Sequence, residues 1–360
     1  MKKIEQTIKK TQEMTAGIDV IKYAAAILVI CFHCERVFQE PELNFLFKNV
    51  LCRIAVPFFL ISTSYFVRRG QTRSEGYTKR YLRSLLKSYL FWSLIYLPVG
   101  FMWIQQSYSL SPALYPVALV VGLFYTGTYY HLWYIPATIF AIVVVQWLLK
   151  KIGYPFLLGL AVVLYSFGSL ETYYGYIGNG QVKAFFDQYL QVFITTRNGL
   201  FFALIFVAAG FFIWDYKAKL EKYQTYSNYL FLGAALLLIV EGAVVYNNLG
   251  IDKNFLFSLI PFTALLFWKS LTIAVSRELN VRRLRELGKY YFFIHPLCIL
   301  WAGSLVKSYE LFNNNWVQLI TVLVMTHIVS SLIISLIEYP PMEYIELWRR
   351  IKLTHRSLVT

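Results

Sequence analysis

Three ionisable side chains form one helical stripe within an otherwise apolar stretch near the N-terminus. The stretch is residues 17–38, and the stripe consists of Asp19, Lys22 and His33. At about 100° per residue, the step from Lys22 to His33 ends within about 20° of whole turns, and Asp19 lies about 40° from the same direction. Ionisable groups at membrane depth are costly and usually face a bundle interior. We therefore expect chemistry here, with His33 as the reactive group and Asp19 paired with Lys22 one turn away.

The composition is typical of a polytopic membrane protein. The 360 residues are 58% hydrophobic and only 15% charged, whereas soluble domains carry about 25% charged residues. Apolar runs of spanning length predict an all-α fold with about ten transmembrane helices, at about 17–38, 45–67, 84–104, 131–149, 152–170, 199–215, 228–247, 255–275, 289–306 and 316–338. We expect one integral membrane unit over 1–360, with tails at 1–16 and 340–360.

The distribution of basic residues predicts the orientation. With the N-terminus in the cytoplasm, 25 Lys and Arg residues lie on the inner side and 6 on the outer side. This is a strong positive-inside pattern, which places both termini in the cytoplasm and the chain in the cytoplasmic membrane. The segment 105–130 is too short and too interrupted by Pro and Gly to span. The net charge of +15 then reflects topology and contact with anionic lipids, so nucleic acid is not expected as a partner.

The four cysteines, Cys31, Cys34, Cys52 and Cys298, all fall inside predicted spans, which argues against a disulfide framework. Cys31-Phe-His33-Cys34 lacks a second ligand pair. We expect neither a metal nor a permanently bound cofactor.

Depth along the predicted spans sorts the remaining polar residues. With a helical rise of about 1.5 Å per residue, His33, Arg53 and Glu241 lie about 8, 12 and 9 Å below the outer surface, on three separate helices. A histidine beside a carboxylate and a guanidinium can act as a general base. The alternative is that Arg53 and Glu241 only neutralise each other.

A second layer lies nearer the cytoplasm. Lys22 is about 16 Å below His33, and His295 falls in the inner half of the ninth span. Below them, Arg80 and Arg83 are spaced i, i+3 where a helix enters the membrane, so they could bind a phosphate bidentately. The alternative for this basic loop is topology alone.

Two further sites have ordinary structural explanations. His131 opens the fourth span beside Trp133 and Tyr134, whose aromatic rings are typical of an interfacial belt. His327 is isolated in the tenth span and is predicted to be a core histidine.

Taken in order, six motifs resemble those of the acyltransferase-3 family of membrane proteins. They cover almost the whole chain: Asp19, Lys22 and His33; Arg53-Ile-Ala-Val-Pro57-Phe-Phe-Leu-Ile-Ser62; Arg80-Tyr-Leu-Arg83; His131-Leu-Trp133-Tyr134; Arg197-Asn-Gly-Leu with Gly210; and Leu287-Gly-Lys-Tyr-Tyr followed by His295. Two positions depart from the family pattern. Lys22 replaces the usual Arg, which keeps the charge but loses the planar fork, and Ser62-Thr-Ser-Tyr65 replaces Ser-Gly-Tyr.

The resemblance implies a cytoplasmic acyl-CoA co-substrate, most often acetyl-CoA, and a hydroxyl acceptor such as an envelope glycan at the outer face. The CoA phosphates would bind Arg80 and Arg83, and the pantetheine arm would pass Lys22. His33 would deprotonate the acceptor or carry the acyl group. Glu241 and Asp19 are the other candidate catalytic residues, and the remaining candidates for substrate or donor binding are Arg53, His131, Trp133, Arg197 and His295.

Two other functions fit the same residues. The Arg197-Asn-Gly-Leu-Phe stretch and the basic residue at 22 also resemble the membrane domain of serine racemases linked to vancomycin resistance, to which amino-acid uptake is attributed. Charged residues at two depths suit a transporter of small solutes such as serine. A non-catalytic partner in envelope assembly is the third possibility. The sequence predicts no oligomeric state.

Overall fold

The computed structural model describes residues 2–108, 111–276, 278–308 and 314–338, and these residues form helices and turns without strands. The predicted tail at 340–360 lies outside the described residues. Six segments are long and apolar enough to cross a membrane: Thr15–His33, Pro41–Gln71, Tyr77–Gln106, Tyr134–Ser169, Gly199–Asn247 and Asn315–Glu338. The prediction of an all-α, multi-pass membrane protein is confirmed.

The helices are numbered in chain order: α1 Lys2–His33, α2 Pro41–Phe45, α3 Ala55–Gln71, α4 Tyr77–Tyr108, α5 Tyr115–Val121, α6 Tyr134–Ser169, α7 Gln181–Phe193, α8 Leu204–Leu220, α9 Ser227–Asn247, α10 Leu259–Ser270, α11 Val281–Ser308 and α12 Asn315–Glu338.

Three of the six apolar segments contain a second helix or a break, so the number of crossings is not the number of segments. The segment Pro41–Gln71 holds the short helix α2 and α3. The segment Gly199–Asn247 holds both α8 and α9. Within α6 the backbone leaves helical geometry at Gly153, where φ is 68°, a conformation that glycine adopts readily. The break falls at the second residue of the predicted span 152–170, close to its boundary with the predicted span 131–149. A total of ten crossings stays a prediction.

The segment 105–130 does not form a long apolar helix of its own. Its only apolar helical stretch in the described residues is Pro112–Thr126, which is shorter than the spanning segments. Gly127, with φ of 79°, ends this stretch and turns the chain toward His131.

The core consists mainly of two apolar clusters. One contains buried residues of α3, α6, α8 and α10, such as Phe58, Phe206 and Phe267. The other contains buried residues of α1, α4, α11 and α12, such as Ile30 and Tyr96. Tyr134 packs against both clusters, so the start of α6 lies where they meet.

Helices α3 and α8 pack very closely at Gly210. A Cβ atom at this position would overlap Ser64 Oγ and the Ile61 carbonyl. The departure at Ser62-Thr-Ser-Tyr65 therefore does not prevent close packing, because the glycine on the opposite helix makes room for the larger side chains of α3.

Candidate functional site

A small cavity brings together four of the predicted residues from four separate segments. The cavity has a volume of about 50 Å³ and is lined by His33, Arg53, Trp133, Arg197 and Asn254. We call it the His33 cavity. His33 ends α1, Arg53 precedes α3, Trp133 precedes α6 and Arg197 precedes α8.

A hydrogen bond to its own helix orients the His33 imidazole. Its Nδ1 lies 2.9 Å from the Val29 carbonyl oxygen. Because a carbonyl only accepts hydrogen bonds, Nδ1 must carry the proton, and Nε2 then retains its lone pair. A neutral imidazole held in this tautomer can accept a proton or attack an electrophile.

Two further imidazoles lie beside His33. The His295 ring centroid is 5.1 Å from that of His33 and 5.6 Å from that of His131. His295 Nδ1 lies 2.8 Å from the Tyr291 carbonyl oxygen, but its Nε2 and both nitrogens of His131 are buried without a hydrogen-bond partner. Buried polar atoms are nearly always paired, so these nitrogens are candidates for contact with a substrate. In the described part of the chain, no group of His, Cys, Asp and Glu could hold a metal ion.

The predicted depth of His295 is wrong, because the structure places it beside His33. The predicted span started at 289, whereas α11 begins at Val281. His295 is therefore 14 residues along the helix, or about 21 Å from its start. Charged residues at the beginning of α11 concealed this first part of the helix from a hydropathy-based prediction.

The position of Arg53 follows from a proline one turn later. Pro57 has no N–H to bond the Arg53 carbonyl, and its ring crowds that carbonyl. The backbone at Cys52–Ile54 is accordingly a 3₁₀ turn instead of an α-helix. The Arg53 guanidinium donates to Asn254 Oδ1 and lies 4.1 Å from the centre of the Phe32 ring.

A buried carboxylate holds the loop that carries Arg197. Glu171 accepts hydrogen bonds from Thr195 Oγ1, and from the backbone N–H (3.1 Å) and Oγ1 (2.9 Å) of Thr196. Burial, and then the negative charge of Asp252, raises the pKa of Glu171 to about 7. Neither Glu171 nor Asp252 was a predicted site residue, because both lie in segments that connect helices.

Trp133 does not belong to an interfacial belt, since only 8% of it is exposed. Its ring lies under the Arg197 guanidinium at 5.2 Å and meets Phe202 edge-on. The predicted belt assumed that the start of α6 lies at the membrane surface. In the structure the start of α6 is buried where the two core clusters meet.

The structure does not bring Glu241 to the His33 cavity. Its carboxylate accepts hydrogen bonds from the Tyr173 hydroxyl, from the backbone N–H groups of Phe257 (2.6 Å) and Ser258 (2.7 Å), and from the Ser258 hydroxyl. The predicted proximity to His33 is therefore wrong, as is the predicted alternative of a pair with Arg53. The geometry instead gives Glu241 a structural role at the start of α10.

Asp19 pairs with Arg285 of α11 and not with Lys22. The Arg285 guanidinium donates to both carboxylate oxygens, at 3.0 and 2.5 Å. Lys22 lies 5.2 Å from the centre of the Phe66 ring and forms no salt bridge with a described residue. Arg285 was counted as a topological charge because its helix was predicted to begin later.

A second, larger cavity lies at the other end of α3. It has a volume of about 750 Å³ and is lined by Arg68, Lys79, Lys150, Thr78, Gln71 and Gln146 among others. We call it the Arg68 cavity. Arg80 and Arg83 are exposed near it without lining it. The Arg80 guanidinium donates to the Glu75 carbonyl at 3.0 Å and to Ser74 Oγ at 2.6 Å.

These features define a multi-pass helical membrane protein with a histidine and two guanidiniums around one buried cavity. The chain matches a family described as an acyltransferase domain over residues 15–335, and it belongs to the acyltransferase-3 family.

The chain is also similar to curated racemases. It is 27% identical to an amino-acid racemase of Enterococcus faecalis over 331 residues, which is 89% of this chain and 46% of that protein. It is 26% identical to a serine/alanine racemase of Enterococcus gallinarum over 318 residues, 86% of this chain and 44% of that protein. The chain thus spans just under half the length of these relatives. No solved structure matches it.

Proposed function

We propose that the protein is a membrane-bound O-acyltransferase that moves an acyl group, in the first instance acetyl, from cytoplasmic acyl-CoA to a hydroxyl acceptor of the cell envelope. The observation that carries this proposal is the orientation of the His33 imidazole. Its Nδ1 is hydrogen-bonded to the backbone, its Nε2 is free, and it lines a cavity together with two guanidiniums. Membership of the acyltransferase-3 family supports the reaction class.

In the proposed reaction, His33 Nε2 takes the proton of the acceptor hydroxyl, and the oxygen attacks the thioester carbonyl. The C–O ester bond forms, the C–S bond breaks, and the CoA sulfur leaves and receives the proton from His33. Arg53 and Arg197 line the same cavity and can stabilise negative charge that develops there. Transfer through an acyl-His33 intermediate uses the same free nitrogen.

The positions of the two cavities support a donor that enters from one side and reacts near the other. Arg53 and Arg68 are 15 residues apart at opposite ends of α3, which corresponds to about 22 Å along the helix. The Lys22 ammonium lies over the ring of Phe66, which belongs to the stretch of chain between these two arginines. A CoA molecule would place its phosphates beside the exposed Arg80 and Arg83, near the Arg68 cavity, and extend its pantetheine arm past Lys22 toward His33.

The proposed orientation puts the Arg68 cavity in the cytoplasm and residues 171–196 outside. The described cysteines Cys31, Cys34, Cys52 and Cys298 are buried, so a cysteine introduced on the surface reports its own side. We expect Gly178→Cys to react with a membrane-impermeant maleimide in intact cells, and Arg73→Cys to react only after permeabilisation. External labelling of Arg73→Cys would contradict the orientation.

The proposed donor role of Arg80 and Arg83 predicts a loss of CoA affinity in Arg80→Lys/Arg83→Lys. Lysine keeps both charges but loses bidentate geometry, and each charge-assisted hydrogen bond contributes about 1.5–3 kcal/mol. We expect the Kd for CoA, measured by titration in detergent, to rise at least several-fold.

Arg73→Lys is the matched control for this titration, because Arg73 is an exposed arginine of the same loop. Equal affinity of the double variant and the wild type would remove the phosphate-binding role.

A second candidate function is transport of a small solute such as an amino acid, since the racemase relatives are named for amino-acid substrates. Release of CoA from acetyl-CoA by the purified protein, in the presence of a hydroxyl acceptor, separates the two. Absence of CoA binding by the wild type would favour the transporter.

A further inference from the structure

The His33 cavity contains two guanidiniums without an acidic partner. Arg53 and Arg197 both line it, and neither forms a salt bridge with a residue that the structure describes. The Nε atoms of both residues are buried and lack a hydrogen-bond partner. By contrast, Arg68 and Arg285 in the same protein each bind a carboxylate through two nitrogens.

Each of the two guanidiniums lies over the face of an aromatic ring. Phe32 lies 4.1 Å from Arg53 and Trp133 lies 5.2 Å from Arg197. A cation–π contact of this kind is electrostatic and uses no hydrogen-bond acceptor, so the guanidinium N–H groups still need acceptors. The N–H fork is the part of arginine that matches a planar anion.

No carboxylate of the described residues forms a salt bridge with either guanidinium. The side chain that bonds Arg53 is the amide of Asn254, and the carboxylate of Asp252 holds that amide from behind. His33, whose Nδ1 donates to a backbone carbonyl, supplies no negative charge. Two like charges at one buried cavity repel each other, and an anion between them would relieve this repulsion.

We propose that Arg53 and Arg197 bind a carboxylate group of the acceptor. The acceptor is then a hydroxyl compound that carries a carboxylate, such as a sugar acid or a hydroxy acid, with its hydroxyl directed to His33 Nε2. A cavity of about 50 Å³ exceeds the share of about 30 Å³ that one water molecule occupies in the liquid, which suits a planar carboxylate. This inference rests on the proposed function only in one respect, namely that the hydroxyl of the acceptor receives the acyl group.

The test compares L-lactate with lactamide, which has the same hydroxyl and nearly the same size but no charge. We expect L-lactate to bind the purified protein in detergent, without CoA, and to change its tryptophan fluorescence, because Trp133 lines the cavity. Lactamide should bind at least 10-fold more weakly. Equal binding of the two, or no binding of L-lactate, would overturn the proposal, and so would inorganic phosphate binding more tightly than L-lactate.

Variants assign the binding to the cavity. Arg53→Gln and Arg197→Gln should each weaken L-lactate binding at least 10-fold, whereas Arg36→Gln, at an exposed arginine, should leave it unchanged. Unchanged binding in both cavity variants would overturn the assignment. The comparison of the two ligands on the wild type remains decisive if a variant fails to fold.

The experiment also separates this inference from the proposed function. Lactate binding without any acyl transfer would retain the carboxylate site and refute the acyltransferase. Acyl transfer by a protein that does not bind lactate would refute the carboxylate site and retain the acyltransferase.

Discussion

His33→Ala is expected to lower acyl transfer by at least about 100-fold, the lower range for loss of a general base. The imidazole is the group of the cavity whose free nitrogen is defined by the hydrogen bond of the other nitrogen to Val29. Alanine favours helix formation, so α1 should remain intact. The measurement is release of CoA from acetyl-CoA by purified variant and wild type, with melting temperature as the check on folding.

His327→Ala is the matched control, because it removes the same side chain from another helix. The prediction that His327 is an isolated core residue is wrong, since it is exposed and its Nδ1 lies 2.7 Å from the Tyr291 hydroxyl. Loss of one such hydrogen bond costs about 1 kcal/mol, and transfer should stay near the wild-type rate. Retained transfer in His33→Ala would reduce His33 to a packing residue.

Glu241→Ala is expected to destabilise the protein by roughly 3 kcal/mol, the loss of several hydrogen bonds to a carboxylate. The substitution leaves the backbone N–H groups of Phe257 and Ser258 without their acceptor at the start of α10. It also releases the Tyr173 hydroxyl. The melting temperature in detergent should fall by several degrees, while protein that stays folded should keep its CoA affinity.

Two other variants make this result specific. Glu241→Gln retains one acceptor oxygen and should lose less stability than alanine. Glu40→Ala removes an exposed carboxylate that forms no capping hydrogen bond at the start of α2, and its melting temperature should not change. If Glu241→Ala melts like the wild type but transfers no acyl group, Glu241 belongs to the catalytic machinery after all.

The class of protein and the key residue of α1 could be predicted without coordinates, because both depend on local properties. Hydropathy over about 20 residues is enough to recognise spanning helices, and a helical repeat is enough to align Asp19 with Lys22 and His33. The resemblance to the acyltransferase-3 family also selected Arg53, His131, Trp133, Arg197 and His295 as candidates for substrate or donor binding, although the depth estimate placed His295 in a separate inner layer. The structure gathers these residues around His33, whereas Arg80 and Arg83 are exposed near the Arg68 cavity without lining it.

Partners across helices depended on the tertiary structure. Asp19 has Lys22 one turn away, yet it binds Arg285, 266 positions later. Glu241 and His33 were predicted to lie at the same depth, but helix packing directs the Glu241 carboxylate to the backbone at the start of α10. The depth of a residue along a helix can be calculated only if the first residue of the helix is known. Charged residues at the start of α11 hid its first turns, so the predicted depth of His295 was wrong. Periodicity determines the direction of a side chain relative to its own helix, whereas the rotation and position of that helix in the bundle determine what the side chain meets.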